Sequence, residues 1–114
     1  MKQLHNILRR QRDLNAVEET SSLLKAKFPV AEVRLFGSKT RGTDDPESDI
    51  DLLVLTSREI SWRERNAMTD AIYDIQMKYD VVISLLVISQ KEWNSGLVSA
   101  LPIHDIIESE GIAA

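Results

Sequence analysis

Two carboxylates interrupt an otherwise apolar stretch of the chain. Five of the seven residues from Ile50 to Thr56 are large and aliphatic, which predicts a buried strand beginning at Asp49 and ending near Thr56. Side chains alternate along a strand, so Asp49 and Asp51 point to the same face, roughly 6.6 Å apart along the chain. Two like charges directed at one place beside an apolar core favour a cation between them, and a divalent metal is the simplest candidate.

A Gly-Ser pair lies eleven positions upstream of this carboxylate pair, at the end of a short strand predicted over Ala31–Phe36. We expect a helical turn over Lys39–Arg41, with Ser38 as its N-cap. The backbone N–H groups of Gly37 and Ser38 and the Ser38 hydroxyl suit a phosphate, and a helix dipole favours an anion there. Arg41 is a candidate to neutralise phosphate charge, and Lys39 a weaker one. Taken alone, a Gly-Ser pair is usually only a turn, and an Asp-x-Asp pair is usually a solvated strand end.

The elements that must position these residues follow from periodicity and from helix-start and helix-stop signals. A helix is predicted from about Gln3 to Lys27, with a break expected near Asn15 or the Thr20–Ser22 run, and Pro29 ends it. The remaining predicted elements are a helix of about 17 residues starting at the Ser61–Glu64 capping box, a central strand from Asp80 to about Ser89, a short helix capped by Ser89 and stopped at Gly96, and a last helix from Ile103 to Glu110. The order of elements predicts an α/β domain, a small twisted mixed sheet flanked by helices, with the site at one end of the sheet.

Composition limits the class of protein. A chain of 114 residues with 43% hydrophobic and 28% charged residues fits a single globular domain spanning residues 1–114. There is no cysteine, so a thiolate metal site is impossible and a reducing, cytoplasmic compartment is expected. The net charge of −4 argues against direct nucleic-acid binding. The longest apolar run, Val81–Ile88, is far shorter than the roughly 20 residues of a membrane span.

The combination of motifs is more specific than either part. The run Gly37-Ser38, Arg41-Gly42, Ser48-Asp49-Ile50-Asp51-Leu52-Leu53-Val54 resembles the nucleotidyltransferase superfamily that includes DNA polymerase beta. It is most similar to the small nucleotidyltransferases of prokaryotic toxin–antitoxin pairs, whose partner is a helical toxin of the HEPN class. The motif covers about 18 residues, and the similarity continues weakly into the predicted strand at Asp80 and the closing helix.

The resemblance implies a magnesium-dependent enzyme that transfers AMP from ATP to an acceptor hydroxyl. Asp49 and Asp51 would hold two Mg²⁺ ions, and Gly37, Ser38 and Arg41 would bind the nucleotide. The third carboxylate of the family, which binds the catalytic metal and helps deprotonate the acceptor, corresponds to Asp80. A carboxylate between a helix and a strand is also a common turn residue, so that alternative stays open for Asp80.

The resemblance also implies a partner. The acceptor would be a residue, such as a tyrosine, on a HEPN-type toxin, and the chain would act as its antitoxin. Two alternatives remain: a binding module that neutralises its partner stoichiometrically, and a nucleotidyltransferase acting on a small molecule or an RNA end. Homo-oligomerisation is left open. One departure from the family pattern is Asp44, beside Asp45, where a small residue is common; negative charge there would weaken nucleotide binding.

Overall fold

A four-stranded mixed sheet carries the carboxylate pair, and helices cover both of its faces. The computed structural model describes residues 3–42 and 45–114, so Asp44 lies outside the described residues. The strands are β1 (Val30–Phe36), β2 (Ile50–Thr56), β3 (Ile83–Ser89) and β4 (Ile112–Ala113). The helices are α1 (Leu4–Ile7), α2 (Gln11–Lys27), α3 (Ser38–Arg41), α4 (Trp62–Ala71), α5 (Tyr73–Tyr79), α6 (Gln90–Ser95) and α7 (Pro102–Glu110), with a 3₁₀ turn at Leu97–Ala100. The predicted α/β class with a small mixed sheet is confirmed.

The strand order is β3-β2-β1-β4, so the carboxylate-bearing strand lies inside the sheet. Strand β2 runs antiparallel to β1 and parallel to β3, while β4 runs antiparallel to β1. Phe36 pairs with Asp51 across β1 and β2, and Ser84 pairs with Asp51 across β2 and β3. These pairings fix which side chains surround the carboxylates.

Two apolar layers sandwich the sheet. On one face, Val33, Leu35, Ile50 and Leu52 pack with helices α2 and α4. On the other face, Leu53 and Leu55 pack with Trp93 of α6 and Ile107 of α7. Because side chains alternate along β2, Asp51 shares the second face with Leu53 and Leu55. Asp51 therefore projects from the face that α6 and α7 cover, and Asp49 lies one residue before the strand begins.

The N-terminal helix breaks where the sequence gives no local signal. Its break lies at residues 8–10, not near Asn15 or Thr20, and α2 runs unbroken through both of those positions. Leu8 and Arg10 have extended backbones, and the Leu8 side chain is buried in the core. The interruption contains no Gly or Pro, so tertiary contacts produce it.

The predicted helix of about 17 residues is divided in two as well. The capping box is confirmed: Glu64 N–H donates to the Ser61 hydroxyl at 3.2 Å and Ser61 N–H donates to the Glu64 carboxylate at 3.1 Å. The helix is interrupted at Ile72, whose ψ is −1° and whose side chain is buried in the core. The short helix capped by Ser89 and the last helix ending at Gly111 are confirmed.

The third strand differs from its prediction in extent and position. It begins at Ile83, not at Asp80, and lies at the edge of the sheet, although its apolar run predicted a central strand. Its apolar side chains are partly buried against both core layers, Leu85 and Val87 on one face and Leu86 and Ile88 on the other, which accounts for its apolar composition. Strand β4 and the 3₁₀ turn were not predicted, because segments of two and four residues carry no periodicity. Within the described residues, no helix is long and apolar enough to cross a membrane.

Candidate active site

The Gly-Ser turn and the carboxylate pair meet at one end of the sheet, as the sequence predicted. Gly37 directly follows Phe36, which is the β1 partner of Asp51. The antiparallel pairing therefore places the end of β1 beside the start of β2. Two motifs separated by a loop in sequence become neighbours through this register.

Gly37 lies against the Asp51 carboxylate. Its φ of 83° and ψ of −159° fall in a region that essentially only glycine occupies. A Cβ placed on Gly37 would come closer to Asp51 Oδ2 than van der Waals contact allows. Glycine is therefore required here both by the backbone conformation and by the nearby carboxylate.

Gly37, and not Ser38, is the N-cap of α3, which corrects the predicted cap. Ser38 is the first helical residue, and no side chain caps the helix. The turn is closed instead by Thr40, whose N–H and hydroxyl both donate to the Gly37 carbonyl, at 3.0 and 2.7 Å. Ser38 itself is partly exposed.

The carboxylate pair lies in an environment that disfavours two negative charges. Asp49 is exposed and Asp51 is half-buried. Burial and, to a lesser extent, the charge of Asp49 raise the pKa of Asp51, while the Arg41 guanidinium acts in the opposite direction. Carboxylate oxygens are the ligands that Mg²⁺ prefers, and a divalent cation would relieve this repulsion, so the donor set fits such an ion.

The two basic residues of the turn have different surroundings. Arg41 is exposed, and its Nη1 lies 2.9 Å from Glu110 Oε2 of α7. Its positive charge favours the ionised form of Asp51, against the stronger effect of burial on the pKa of that carboxyl. Lys39 instead is buried, with its Nζ 2.9 Å from Asp13 Oδ2, so it points away from solvent.

Asp13 was missed by the sequence reasoning, although a signal for it was present. Asp13, Val17, Thr20 and Leu24 are spaced by four, three and four residues, and all four are buried. A carboxylate on the buried stripe of an amphipathic helix requires a cationic partner. The sequence does not say which cation.

Asp80 is not on the strand beside the carboxylates. It caps the end of α5 in a left-handed conformation with φ of 52°, and its side chain is exposed. It lines a small cleft with Glu47, Ser48 and Val82. Over residues 3–42 and 45–114, no group of three or more His, Cys, Asp or Glu side chains is placed to hold a metal ion. The structure thus brings Asp49 and Asp51 together without gathering Asp80 into a three-carboxylate cluster, and its catalytic role stays a prediction.

The β3 residue paired with Asp51 is Ser84, whose side chain is exposed. Ser84 was not among the predicted site residues, because the third strand was predicted to begin at Asp80. A polar serine within the apolar run Val81–Ile88 was the available signal. Strand pairing, and not sequence order, identifies it as the neighbour of the carboxylates.

A partly exposed Gly-Ser turn beside a metal-suited carboxylate pair defines an enzyme site for phosphate-bearing substrates. Such sites act by positioning and by neutralising charge on the transferred group. A match to a known family identifies the chain more narrowly than this general class of enzyme. Residues 17–112 match the nucleotidyltransferase domain family, and the chain belongs to that family of enzymes.

Relatives with substantial coverage come from Methanocaldococcus jannaschii. The chain is 34% identical over 70 residues to "Putative protein adenylyltransferase MJ0141", covering 61% of this chain and 69% of that protein. It is 32% identical over 81 residues to "Putative protein adenylyltransferase MJ0604", covering 69% of this chain and 76% of that protein.

Solved structures share the fold. A nucleotidyltransferase from Sulfolobus solfataricus, itself described as putative, aligns with a TM-score of 0.60 and 21% identity, covering 90% of this chain and 78% of that one. A toxin–antitoxin structure with AMP-PNP aligns with a TM-score of 0.60 and 19% identity, covering 91% and 72%. A mutant of the MntA-HpeT toxin–antitoxin aligns with a TM-score of 0.58 and 16% identity, covering 84% and 69%. The predicted nucleotidyltransferase fold is confirmed.

Proposed function

We propose that this chain transfers AMP from ATP to a hydroxyl group on a partner protein and releases pyrophosphate. The observation that carries the proposal is the pairing of Phe36 with Asp51, which places the Gly37–Ser38 turn against the Asp51 carboxylate at one end of the sheet. The acceptor oxygen forms a bond to the α-phosphorus, the bond between the α- and β-phosphates breaks, and the hydroxyl proton passes to a base. The matched family performs nucleotidyl transfer, and the relatives' names specify protein adenylylation.

Asp49 and Asp51 would hold two Mg²⁺ ions, which when bound neutralise phosphate charge and activate the attacking oxygen. Gly37 and Ser38 would bind the triphosphate through backbone N–H groups and a hydroxyl. Arg41, already close enough to influence Asp51, would add a cation on the phosphate side. These assignments predict that the chain's affinity is for the MgATP complex and not for free ATP.

Asp80 remains our candidate to accept the proton of the acceptor hydroxyl. Its exposed position in the segment leading to β3 leaves it free to approach a bound acceptor. Ser84, at the register position beside Asp51, has no basic group to take a proton. An Asp80→Asn variant should therefore lower the transfer rate far more than Ser84→Ala does.

We further propose that the acceptor lies on a HEPN-type toxin and that adenylylation makes this chain its antitoxin. The support is the sequence resemblance, together with neighbours described as toxin–antitoxin structures, one of them with AMP-PNP. We take residues 1–114 as a single catalytic domain acting in the cytoplasm, where ATP is available. The partner protein would then supply the surface that presents the acceptor.

The test is transfer of label from ATP carrying ³²P at the α-phosphorus. The chain is incubated with Mg²⁺ and the protein encoded beside it in its genome, and labelled products are separated. We expect label on the neighbouring protein, lost on addition of a chelator and lost in Asp51→Asn. Asp70→Asn, which changes an exposed carboxylate of α4, is the matched control and should label normally.

Each other outcome replaces a stated part of the proposal. Label in RNA or in a small molecule would keep nucleotidyl transfer and replace the protein acceptor. Equal labelling by Asp51→Asn would reject the two-carboxylate mechanism. No label anywhere, while the neighbouring protein binds and is neutralised by the Asp49→Asn/Asp51→Asn variant, would replace the enzyme with a stoichiometric binding module.

A further inference from the structure

The N-terminal segment is bonded to the loop that joins the Gly-Ser turn to the carboxylate strand. Arg9 Nη2 donates to the Gly42 carbonyl at 3.0 Å, and Arg12 Nη2 donates to the Pro46 carbonyl at 2.7 Å. Gly42 ends α3, and Pro46 lies three residues before Asp49. The junction of α1 and α2 therefore contacts the chain on both sides of residues 43 and 44.

A buried ion pair lies behind the turn itself. Lys39 Nζ lies 2.9 Å from Asp13 Oδ2, and both side chains are 1% exposed. Arg12 Nε at 3.3 Å and Arg10 Nη1 at 3.7 Å also lie near the Asp13 carboxylate. Asp13 thus joins the first turn of α2 to the residue next to Ser38.

Helix α3 depends on contacts of this kind. It has four residues, one turn, and an isolated turn of that length does not persist in water because helix nucleation is unfavourable. No side chain caps it, and the backbone of Gly37 can adopt many conformations because glycine has no Cβ. On one side its orientation is set by the exposed pair Arg41–Glu110, and on the other by the buried pair Lys39–Asp13. The buried pair is the better shielded from solvent and salt.

We propose that Asp13 and Lys39 are positioning residues for nucleotide binding. Their ion pair fixes the orientation of the Gly37–Arg41 turn, so that Ser38 and the backbone N–H groups are aligned for the phosphates before ATP arrives. The inference rests on the proposed function of this turn. Neither residue touches the nucleotide, because both side chains are enclosed behind the turn.

The informative variant removes both charges at once. Asp13→Leu/Lys39→Met leaves the net charge unchanged, so long-range attraction of ATP is preserved. Replacing a buried ion pair by apolar residues of similar volume is often neutral for stability, whereas removing one partner leaves a buried unpaired charge. An apolar contact has no directional hydrogen bond, so the turn should lose its fixed orientation while the fold persists.

We expect the double variant to keep a melting temperature near that of the wild type and to bind MgATP roughly tenfold more weakly. In steady state the loss should fall on KM for ATP more than on kcat, because the defect is in phosphate alignment. Lys39→Arg keeps a cation beside Asp13, so its MgATP affinity should stay within about threefold of the wild type, although the larger buried side chain should lower its melting temperature. A control is Glu19→Gln/Lys78→Met, which removes an exposed 2.8 Å ion pair that joins α2 to α5 and not to α3, and which should leave MgATP affinity unchanged.

Amide hydrogen exchange tests the positioning without any nucleotide. In the double variant, the amide of Thr40, bonded to the Gly37 carbonyl, should exchange faster than in the wild type, while β2 amides stay equally protected. Faster exchange with no MgATP binding even by the wild type would keep the positioning role and reject the proposed function. Unchanged exchange together with unchanged MgATP affinity would overturn the positioning role.

A single substitution covers the case in which the double variant does not fold. Lys39→Met removes only the lysine, and the Asp13 carboxylate keeps Arg12 Nε at 3.3 Å and Arg10 Nη1 at 3.7 Å, so this variant should fold. We expect roughly threefold weaker MgATP binding and faster exchange of the Thr40 amide. Wild-type values for both would overturn the proposal that the Asp13–Lys39 pair positions the turn.

Discussion

Replacing Gly37 by alanine separates the two reasons for glycine at the site. The backbone conformation at Gly37 costs a residue with a Cβ about 2 kcal/mol. Displacing the Asp51 side chain from the new methyl group adds about 1 kcal/mol, the cost of an off-rotamer side chain. Lower entropy of the unfolded chain returns about 0.5 kcal/mol. The net expectation for Gly37→Ala is a loss of about 2–3 kcal/mol.

This loss is measurable as a shift in melting temperature. For 114 residues the unfolding entropy is roughly 0.24 kcal/mol/K, so 1 kcal/mol corresponds to about 4 °C. Gly37→Ala should therefore melt about 8–12 °C lower in a thermal scan followed by circular dichroism. Because the Asp51 carboxylate must move, AMP transfer should also fall by about a hundredfold.

Gly42→Ala is the matched control. Gly42 has a φ of 70°, in the ordinary left-handed region, and among residues 3–42 and 45–114 a Cβ there would meet the end of the Arg9 side chain. The left-handed conformation alone costs about 1–2 kcal/mol, which the same entropy gain reduces to about 0.5–1.5 kcal/mol, so we expect a shift of about 2–6 °C.

The contact with Asp51 is isolated by a double-mutant cycle. In an Asp51→Ala background, Gly37→Ala should cost about 1 kcal/mol less than in the wild type, because the carboxylate is gone. Equal costs in the two backgrounds, or equal melting shifts for Gly37→Ala and Gly42→Ala, would refute the argument that the close carboxylate requires this glycine.

Two further predictions concern pH and charge. Because burial and Asp49 raise the pKa of Asp51 above 3.8, its protonated form stabilises the fold, and this contribution is lost as pH rises through the raised value. Without Mg²⁺, Asp51→Asn should therefore have a higher melting temperature than the wild type at pH 7, and this difference should disappear below about pH 3.5. Added Mg²⁺ should raise the melting temperature of the wild type only. The Glu108 carboxylate accepts from Trp93 Nε1 at 2.6 Å and from Arg34 Nη1 at 3.0 Å, which lower its pKa below 4.5. Glu108→Gln should cost about 1–2 kcal/mol at pH 7, and the difference in melting temperature should shrink as pH falls below 4.5, as scans from pH 3 to 7 would reveal.

Local sequence was sufficient for the elements with strong local signals. The apolar run of β2, the stop at Pro29 and the Ser61–Glu64 capping box all appear where they were predicted. Each depends on residues within a few positions of one another, so no knowledge of the rest of the chain is needed. The two helix breaks, at residues 8–10 and at Ile72, had no such signal, because burial of Leu8 and Ile72 in the core accompanies them.

The candidate site likewise combines features that local sequence predicts with features that long-range contacts decide. The sequence by itself predicted the chemistry: carboxylates two residues apart on a strand share one face, and a Gly-Ser pair at a strand end suits a phosphate. Only the tertiary structure decided which other residues lie beside them. Long-range pairing placed Ser84 beside Asp51 and left Asp80 in the segment before β3, and helix packing joined Asp13 to Lys39 across 26 positions. Strand register and helix contacts are set by the whole core, so no local pattern specifies them.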